Sequence, residues 1–527
     1  MEIERKFLLS GFPDLPELER AEVFQGYLGI SPEVRIWSKR VGEAETYRLC
    51  FKGEGGLVRE EIELDLDKAT FESLKKLLPK RDLRARWLWV LALALTAVKL
   101  GLCSFQLIVA SPDLSPIDDT LMFNLAKSIS AGNWLGEYDW LTLGKHSFYA
   151  LWLAFLNLLH VNIVVGGQAL FAVSCLVLLA ALKPVMRTNW GRLFVFAVTL
   201  YTPASWAENT LRVYRDNIYP SLVLLALAGL LGAFTRFREK PLRALPYYVA
   251  AGLSLAAAWL CHEDNALLLP FVLCAAAVYL AYLFLDKSIA HKKSRLALLL
   301  VPLALWGGGI AAWCGMNYKY YGRFIISDFT SSEFNDAMGA LSRAYPDDQK
   351  RYELIPLSTR LALYEVSPTF AKLQDVLETP EMYNGYGDPE TGELNSGGIH
   401  WVLRKAAWTA GYYDTAQDAE NFWRAVADEI NAACDAGLVP AGRRHSGVFS
   451  PIKAEYVAPT IGKFFDEVKV FVLFEQTEPT QILSIARPDQ TEEWESYLHC
   501  QSTIAAQANT DLPYFAPLNQ IAYKLLN

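Results

Sequence analysis

Apolar and polar positions divide the chain into three stretches. Between about Trp87 and Cys314, apolar runs close to the ~20 residues that cross a hydrocarbon core follow one another, whereas both flanks mix polar and apolar residues as soluble domains do. The candidate spans are residues 87–110, 163–182, 193–207, 218–235, 245–261, 266–285 and 295–315. The pattern predicts a mixed fold: an N-terminal domain (1–82), a polytopic α-helical membrane bundle of about seven spans (87–315) and a C-terminal soluble domain (316–527).

Charge in the connecting loops predicts how the bundle is oriented. Loops 183–192, 236–243 and 286–295 are rich in lysine and arginine, which is typical of cytoplasmic loops. The N-terminus is charged from its second residue and has no apolar signal segment. We therefore expect a multi-pass protein of the plasma (inner) membrane with a cytoplasmic N-terminus, and with loop 111–162 and the C-terminal domain outside. The short apolar run 148–160 is then a helix that lies along the outer interface.

Composition narrows the class of partner. The chain is 52% hydrophobic, its mean hydropathy is +0.16, and its formal net charge is −8. A negatively charged chain offers no support for non-specific nucleic-acid binding. We therefore expect the lipid bilayer, and no nucleic acid, among its partners.

The predicted outer face gathers charged residues at the ends of the spans. "PIDDTLMF" places Asp118 and Asp119 after the first span, and "LRVYRDN" and "CHEDN" lie in two other outer loops. The charged residues of these two loops are Arg212, Arg215, Asp216, His262, Glu263 and Asp264. Because all of them face one way, we predict a shared site at this membrane surface.

These residue types suit the displacement of a lipid-linked phosphate. Asp118 or Asp119 is the candidate base for an acceptor hydroxyl, and each carboxylate raises the pKa of the other by like-charge repulsion. Arg212 and Arg215 are three residues apart, one helical turn, so both can hold one phosphate. Asp216 is expected to orient an arginine or to bind the acceptor. Candidates for a metal site, or for supporting the reacting groups, are His262, Glu263 and Asp264.

The first outer loop carries a recognisable layout. The acidic pair opens "DTLMFNLAKSISAGNWLGEY", and "LGKHSFYALWLAFLNLLH" follows, in which Lys145 precedes an aromatic and apolar segment. This layout resembles the GT-C superfamily of integral membrane glycosyltransferases. The match covers about residues 87–315, and we expect the transferase part of the chain to extend to residue 527.

The GT-C resemblance implies transfer of a sugar from a polyprenyl-phosphate-linked donor to a glycan, lipid or protein acceptor of the cell envelope. It implies that the acidic pair supplies the catalytic carboxylate and that Lys145 helps to bind the donor. The chain stops at "APLNQIAYKLLN" with no closing span, an ending that we expect of a truncated C-terminus.

Alternation with a period of two marks charged strand faces near the N-terminus. In "EIERK" the acids and the lysine project from one face of a strand, and in "VREEIELDL" the arginine and alternate acids do the same. Such faces suit Mg²⁺ or Mn²⁺ bound to a polyphosphate, because acids bind the metal and bases bind phosphate oxygens. The predicted residues are Glu2, Glu4, Lys6, Arg35, Lys52, Arg59, Glu61 and Glu63.

The E-x-E-x-K start, followed by "FQGYL", "VRI" and "REEIE", resembles the CYTH, or triphosphate tunnel metalloenzyme, family. The resemblance covers residues 1–82, about the first half of that family's barrel. Since half of the strands do not close a tunnel, a binding or regulatory half-domain is favoured. The alternative functions are a membrane-anchored cytosolic domain that binds or hydrolyses triphosphate or polyphosphate with a metal, and a non-catalytic membrane scaffold.

The C-terminal part shows helical spacing. Trp408 is followed at helical spacing by Tyr412, and Phe422 by Val426 and Ile430, and a glycine at 437 supplies a stop. We predict a mainly helical domain in which these aromatic residues pack in the core.

Overall fold

The computed structural model describes residues 2–3, 21–30, 33–52, 58–59, 61–77, 83–186, 188–202, 205, 211–237, 239–287, 289, 291–330, 332–350, 352–388, 391–445, 447, 454–473 and 484–503. Contacts between residues divide the chain into two compact units, Met1–Leu91 and Ala92–Asn527. The division into domains 1–82, 87–315 and 316–527 stays a prediction.

The N-terminal unit is built on antiparallel strands. They are β1 (Glu2–Ile3), β2 (Glu22–Ile30), β3 (Glu33–Val41), β4 (Ala44–Lys52), β5 (Val58–Arg59) and β6 (Glu61–Leu66), and helix α1 (Lys68–Leu77) follows. Strands β2, β3, β4 and β6 form one sheet in that order, whereas β1 and β5 pair separately. The charged strand predicted over residues 58–66 is therefore divided between two sheets, because β5 pairs with β1 and β6 with β4.

The four-stranded sheet has one apolar and one charged face. Phe71 of α1 is buried on the apolar face, where its ring centroid lies 4.8 Å from that of Tyr47 and 6.0 Å from that of Phe24. On the other face the register places Arg35 opposite Cys50, and Cys50 opposite Glu63. Since side chains alternate across a strand, β3, β4 and β6 carry the predicted charged face.

Apolar helices follow along the chain, and the first of them crosses the boundary between the two units at Leu91 and Ala92. They are α2 (Leu83–Cys103), α3 (Asp119–Ser130), α4 (Phe148–Leu158), α5 (Ile163–Ala181), α6 (Asn189–Leu200), α7 (Tyr219–Thr235), α8 (Leu245–Cys261), α9 (Leu268–Leu285) and α10 (Lys292–Tyr321). Five stretches among the described residues are long and apolar enough to cross a membrane: Arg86–Cys103, Ile163–Ala181, Arg215–Thr235, Leu268–Leu285 and Lys292–Tyr321.

The predicted count of seven spans is not confirmed. Predicted spans 193–207 and 245–261 correspond to α6 and α8, which have 12 and 17 residues. At 1.5 Å per residue these helices reach about 18 Å and about 26 Å, short of a hydrocarbon core of ~30 Å. Helix α8 nevertheless packs closely against α7 and α10. The orientation of the bundle stays a prediction.

The described residues beyond α10 are mainly helical. The helices are α11 (Glu333–Arg343), α12 (Leu357–Val366), α13 (Pro368–Ala371), α14 (Gln374–Leu377), α15 (Pro380–Tyr383), α16 (Ile399–Thr409), α17 (Ala416–Asp435), α18 (Val457–Val472) and α19 (Pro488–Leu498). Phe422, Val426 and Ile430 of α17 are buried, as the spacing predicts, whereas Trp408 is exposed at the end of α16. We call α11–α17 the C-terminal lobe.

The C-terminal lobe packs onto the loop between α3 and α4. Arg404 of α16 is fully buried and donates to the carbonyl oxygens of Trp140 and Thr142 and to the carboxylate of Asp328, each at 2.7 Å. Trp401 lies so close to Gly144 that a Cβ there would come within 2.9 Å of the indole ring. The lobe therefore holds the stretch that leads into Lys145.

Candidate active site at the end of the membrane helices

The two acids of the first long loop begin helix α3. Asp118 is the residue before the helix and Asp119 is its first residue. The positive end of the helix dipole favours carboxylates at this place. Asp119 is 2% exposed, whereas the side chain of Asp118 is 33% exposed. Of the two neighbouring acids, only Asp118 is open to a reactant.

Arg212 holds Asp119 in a two-pronged ion pair. Its Nη2 donates to Oδ1 at 2.7 Å and its Nε donates to Oδ2 at 3.1 Å. Burial raises the pKa of Asp119 above its ordinary value, and the hydrogen bonds and charge of Arg212 oppose that rise. The charge of Asp118 adds to the rise, in the predicted direction, but burial is the larger cause.

Lys145 forms an ion pair with Asp118 across the loop. Its Nζ lies 6.0 Å from the ring centroid of Tyr214 and 5.6 Å from that of Trp401. Burial lowers the pKa of Lys145, and the charge of Asp118 opposes that fall. A residue of the C-terminal lobe, Trp401, thereby completes the surroundings of this ammonium group.

Arg215 and Glu263 form a third ion pair, which joins α7 to α8. Arg215 lies in a short 3-10 helix, Arg215–Asn217, and Glu263 begins another, Glu263–Leu267. The second carboxylate oxygen of Glu263 accepts the backbone N–H of His146 at 3.0 Å. Burial alone would raise the pKa of Glu263, but the charge of Arg215 and the hydrogen bond from His146 bring it down to about 2. We call Asp118, Asp119, Lys145, Arg212, Arg215 and Glu263 the ionic cluster.

Tyr214 lies at the centre of the three cations. The guanidinium carbons of Arg212 and Arg215 are 5.3 Å and 5.4 Å from its ring centroid, within cation–π range. The chain does not form a helix from 212 to 215: Arg212 pairs its backbone with Val109 and the 3-10 helix begins only at Arg215. The predicted helical turn between Arg212 and Arg215 is therefore wrong, although both guanidinium groups lie beside the ring of Tyr214.

His262, Asp264 and Asp216 lie at the edge of the ionic cluster. The Nδ1 atom of His262 accepts the backbone N–H of Asp264 at 3.2 Å, and Asp216 interacts electrostatically with His262. Within the described residues, no three His, Cys, Asp or Glu ligand atoms meet here closely enough to share a metal ion. Glu263, predicted as a metal candidate, is the partner of Arg215.

An apolar groove of about 530 Å³ lies among the apolar helices of the second unit. Among the described residues it is lined by Trp134 and by residues of α4, α7, α8 and α10, and Ser254 is the one lining residue with a hydroxyl group. Phe148 of the groove follows Lys145 by three residues, and Leu260 precedes Glu263 by three. Two lining residues of the groove are therefore close in sequence to residues of the ionic cluster.

A separate group of charged residues lies on the N-terminal sheet. Arg35 pairs with Glu61 at 2.9 Å, and Arg48 pairs with Glu63 at 2.7 Å. One ligand atom each of Cys50, Glu61 and Glu63 lies within 4.8 Å of the others, close enough to share a metal ion. The carboxylates suit Mg²⁺ or Mn²⁺, whereas the thiol is a softer ligand.

The other residues predicted for this sheet fall outside what the structure describes. Glu4 and Lys6 are outside the described residues altogether. The backbones of Glu2, Lys52 and Arg59 lie in β1, β4 and β5, but their side chains are not described.

Three residues of the two sites are not predicted from the sequence, each for a different reason. Tyr214 lies between Arg212 and Arg215 in "LRVYRDN". This position is the sequence feature that could have identified it as a site residue. Cys50 lies two residues before the predicted Lys52 in β4, but a thiol at that place is easily taken for a core residue. Trp401 lies more than 250 residues from Lys145 in the sequence, and no local pattern connects them.

Comparison with known proteins finds a relative for the N-terminal part. This part is 42% identical over 73 residues to an inorganic triphosphatase from Nitrosomonas europaea, a match that covers 14% of this chain and 47% of that protein. The chain thus spans about half the length of the curated relative it matches. No family model matches the chain, and no solved structure matches it. The comparisons identify an N-terminal segment similar to a triphosphatase, in a chain that also carries membrane-spanning candidates.

Proposed function

We propose that the protein is an inverting glycosyltransferase that moves a sugar from a polyprenyl-phosphate carrier to an acceptor outside the cytoplasm. The observation that carries the proposal is the ionic cluster itself: three cations gather around Tyr214 beside a solvent-accessible carboxylate. An apolar groove in the same unit supports it. A phosphate headgroup needs the cations, and its lipid tail needs the apolar groove.

Asp118 is the base of this reaction, because it is the acid that an acceptor can reach. It removes the proton of the acceptor hydroxyl, whose oxygen then attacks the anomeric carbon. The bond from that carbon to the phosphate oxygen breaks, and the phosphate keeps the electron pair. Lys145, Arg212 and Arg215 stabilise the charge on the departing phosphate, and Asp119 positions Arg212.

The apolar groove supports a lipid-linked donor as one partner of the proposed reaction. Its apolar lining between α4, α7, α8 and α10 takes the first isoprene units of the donor, and the bilayer takes the rest of the tail. The acceptor is a glycan, lipid or protein of the cell envelope that approaches Asp118 from the aqueous side. This arrangement requires the plasma (inner) membrane, with the ionic cluster on its outer face.

The test replaces each acid in the full-length protein and measures envelope glycan in a strain that lacks the gene. Asp118→Asn is expected to lower transfer by roughly 10²–10⁴-fold, the usual contribution of a general base, with no loss of protein. Asp119→Asn weakens the hold on Arg212 and is expected to lower both transfer and stability. Asp113→Asn, an exposed acid of the same loop, is the matched control and should restore wild-type glycan.

Wild-type glycan in both Asp118→Asn and Asp119→Asn would remove the base assignment. If deletion of the whole gene also left the glycan unchanged, while the protein was recovered in a complex with other proteins, a non-catalytic scaffold would replace the transferase proposal.

We propose a second function for the N-terminal sheet: metal-dependent binding of triphosphate or polyphosphate on the cytosolic side. Two observations favour it, the identity shared with an inorganic triphosphatase and the meeting of Cys50, Glu61 and Glu63 beside Arg35 and Arg48. Glu61 and Glu63 would hold Mg²⁺ or Mn²⁺, which supplies charge neutralisation to the phosphates, while the arginines bind phosphate oxygens.

The full chain tests this second function by calorimetric titration with tripolyphosphate in the presence and absence of Mn²⁺, and by phosphate release. Binding that requires Mn²⁺ is expected in the wild type, and the double variant Glu61→Gln with Glu63→Gln should lose it. Glu22→Gln, whose ion pair with Arg40 is a surface contact of 3.9 Å, should bind as the wild type does. Binding that ignores Mn²⁺, or that survives the double variant, would contradict the assignment.

A further inference from the structure

Helix α18 (Val457–Val472) has one apolar side. At 3.6 residues per turn, six of its apolar residues fall within an arc of about 100°. Lys463, Asp466, Glu467 and Lys469 point elsewhere, as does Val470. The residues of this apolar arc are Val457, Ile461, Phe464, Phe465, Val468 and Val472. The pattern is that of a helix with one face against an apolar phase.

The described structure does not bury that face. The residues of the apolar arc are between 41% and 64% exposed, and the rings of Phe464 and Phe465 contact each other at 5.5 Å. A continuous exposed patch of this kind marks an interaction surface.

The chain that follows α18 returns to the vicinity of the first candidate span. The hydroxyl of Ser484 accepts the backbone N–H of Ala110 at 2.8 Å, and the hydroxyl of Ser111 accepts that of Ile485 at 3.2 Å. Ala110 lies seven residues beyond the end of α2. Because the eleven Cα steps from Leu473 to Ser484 reach at most about 40 Å, α18 ends within that distance of the segment that follows a candidate membrane-spanning helix.

We propose that α18 lies in the lipid–water interface of the bilayer, with the apolar arc among the acyl chains and the polar side among the headgroups. This is the usual position of an amphipathic helix beside a membrane. Its two lysines balance its two acids, so a neutral phospholipid surface suffices. A second copy of the chain fits less well, because the apolar arc offers on the order of 500 Å², below the ~800 Å² per partner of a stable interface.

Photo-crosslinking tests the proposal in the full-length protein, reconstituted in dioleoylphosphatidylcholine vesicles. A benzophenone amino acid replaces Phe464 in one sample and, as the matched control on the polar side, Lys463 in another. After illumination, mass spectrometry of the α18 peptide should show several-fold more lipid adduct at 464 than at 463. Addition of phosphatidylglycerol should leave that ratio unchanged, because the helix carries no net charge.

Three results would overturn the proposal. A covalent dimer through position 464 would assign the apolar arc to a second copy, and a crosslink to another segment of the same chain would assign it to an internal contact. Equal lipid adducts at 464 and 463 would show that the apolar arc does not select the acyl region. Because this proposal does not depend on sugar transfer, an inactive enzyme with lipid adducts at 464 would still support it.

Discussion

At the scale of single residues, the ionic cluster is a set of matched charges. Asp118 holds Lys145, Asp119 holds Arg212 and Glu263 holds Arg215. Partly buried charges are stable only when paired, and removal of one partner leaves the other uncompensated. A phosphate group can therefore bind here by replacing a carboxylate as the partner of a cation. We expect it to displace Asp118 from Lys145, because this ion pair is the most exposed of the three.

Glu263→Gln tests the pairing through its pH dependence. The pKa of Glu263 is about 2 in the folded protein, against an ordinary value of 4.5, so its stabilisation is complete above pH 4.5 and is lost as the pH falls toward 2. The variant should therefore lose on the order of 2–3 kcal/mol of unfolding free energy at pH 7, with a smaller loss at pH 3. Denaturant titration of the purified protein in detergent at both pH values measures the difference.

Asp264→Asn is the control for that experiment. The side chain of Asp264 is 69% exposed, and exposed charge pairs contribute at most about 1 kcal/mol. A loss in Asp264→Asn as large as that in Glu263→Gln, or a Glu263→Gln loss that stays constant between pH 7 and pH 3, would show that the pair with Arg215 is not what stabilises the fold.

At the scale of elements, a close approach between two helices places Arg215. Gly167 of α5 faces Asn217, which ends the 3-10 helix of Arg215, and a Cβ at Gly167 would lie 2.3 Å from the Asn217 side-chain oxygen. The absence of a side chain lets α5 and α7 meet at the level of the ionic cluster. The position of Arg215 therefore depends on a residue that carries no chemistry of its own.

Gly167→Ala is expected to push Asn217 away and to cost about 1–3 kcal/mol of stability, the usual effect of overpacking. The thermal midpoint in detergent measures the cost, and sugar transfer should fall with it because Arg215 moves. Gly308→Ala in α10 is the matched control: no heavy atom lies within 4 Å of its Cβ position, so its midpoint should stay or rise. Equal midpoints in the two variants would contradict the close approach.

The local sequence pattern predicts the charged residues at the ends of the spans but not the contacts between distant parts of the chain. The acids of "PIDDTLMF" and the arginines of "LRVYRDN" were recognisable because polar residues at span ends share one side of a bundle. The pair of Arg215 with Glu263 and the contact of Lys145 with Trp401 join distant parts of the chain, and periodicity carries no information about such contacts. The span count is not confirmed at α6 and α8, because hydropathy marks apolar residues but not where a helix ends.

At the scale of the whole second unit, the C-terminal lobe and the membrane helices share one site. Trp401 of the lobe lies 5.6 Å, measured to its ring centroid, from Nζ of Lys145. Outside the lobe, Trp494 of α19 stacks on Phe123 of α3 with ring centroids 4.7 Å apart. Arg404 fastens the lobe to the loop between α3 and α4 through three hydrogen bonds. The C-terminal lobe therefore helps to support the site, and a substitution in the lobe should change the position of Lys145.

Arg404→Met tests this coupling at a distance from the ionic cluster. The substitution leaves the carboxylate of Asp328 and the carbonyl oxygens of Trp140 and Thr142 without their shared donor, which should cost about 3–5 kcal/mol. Proteolysis should then cut the loop between α3 and α4 faster, and sugar transfer should fall although no residue of the ionic cluster has changed. Arg424→Met, which removes a half-exposed arginine of the same lobe, should destabilise the protein far less, because solvent screens exposed charge pairs, and should leave the loop protected. If Arg404→Met destabilised the protein while the loop stayed protected and transfer stayed normal, the lobe would be a neighbour of the site and not its support.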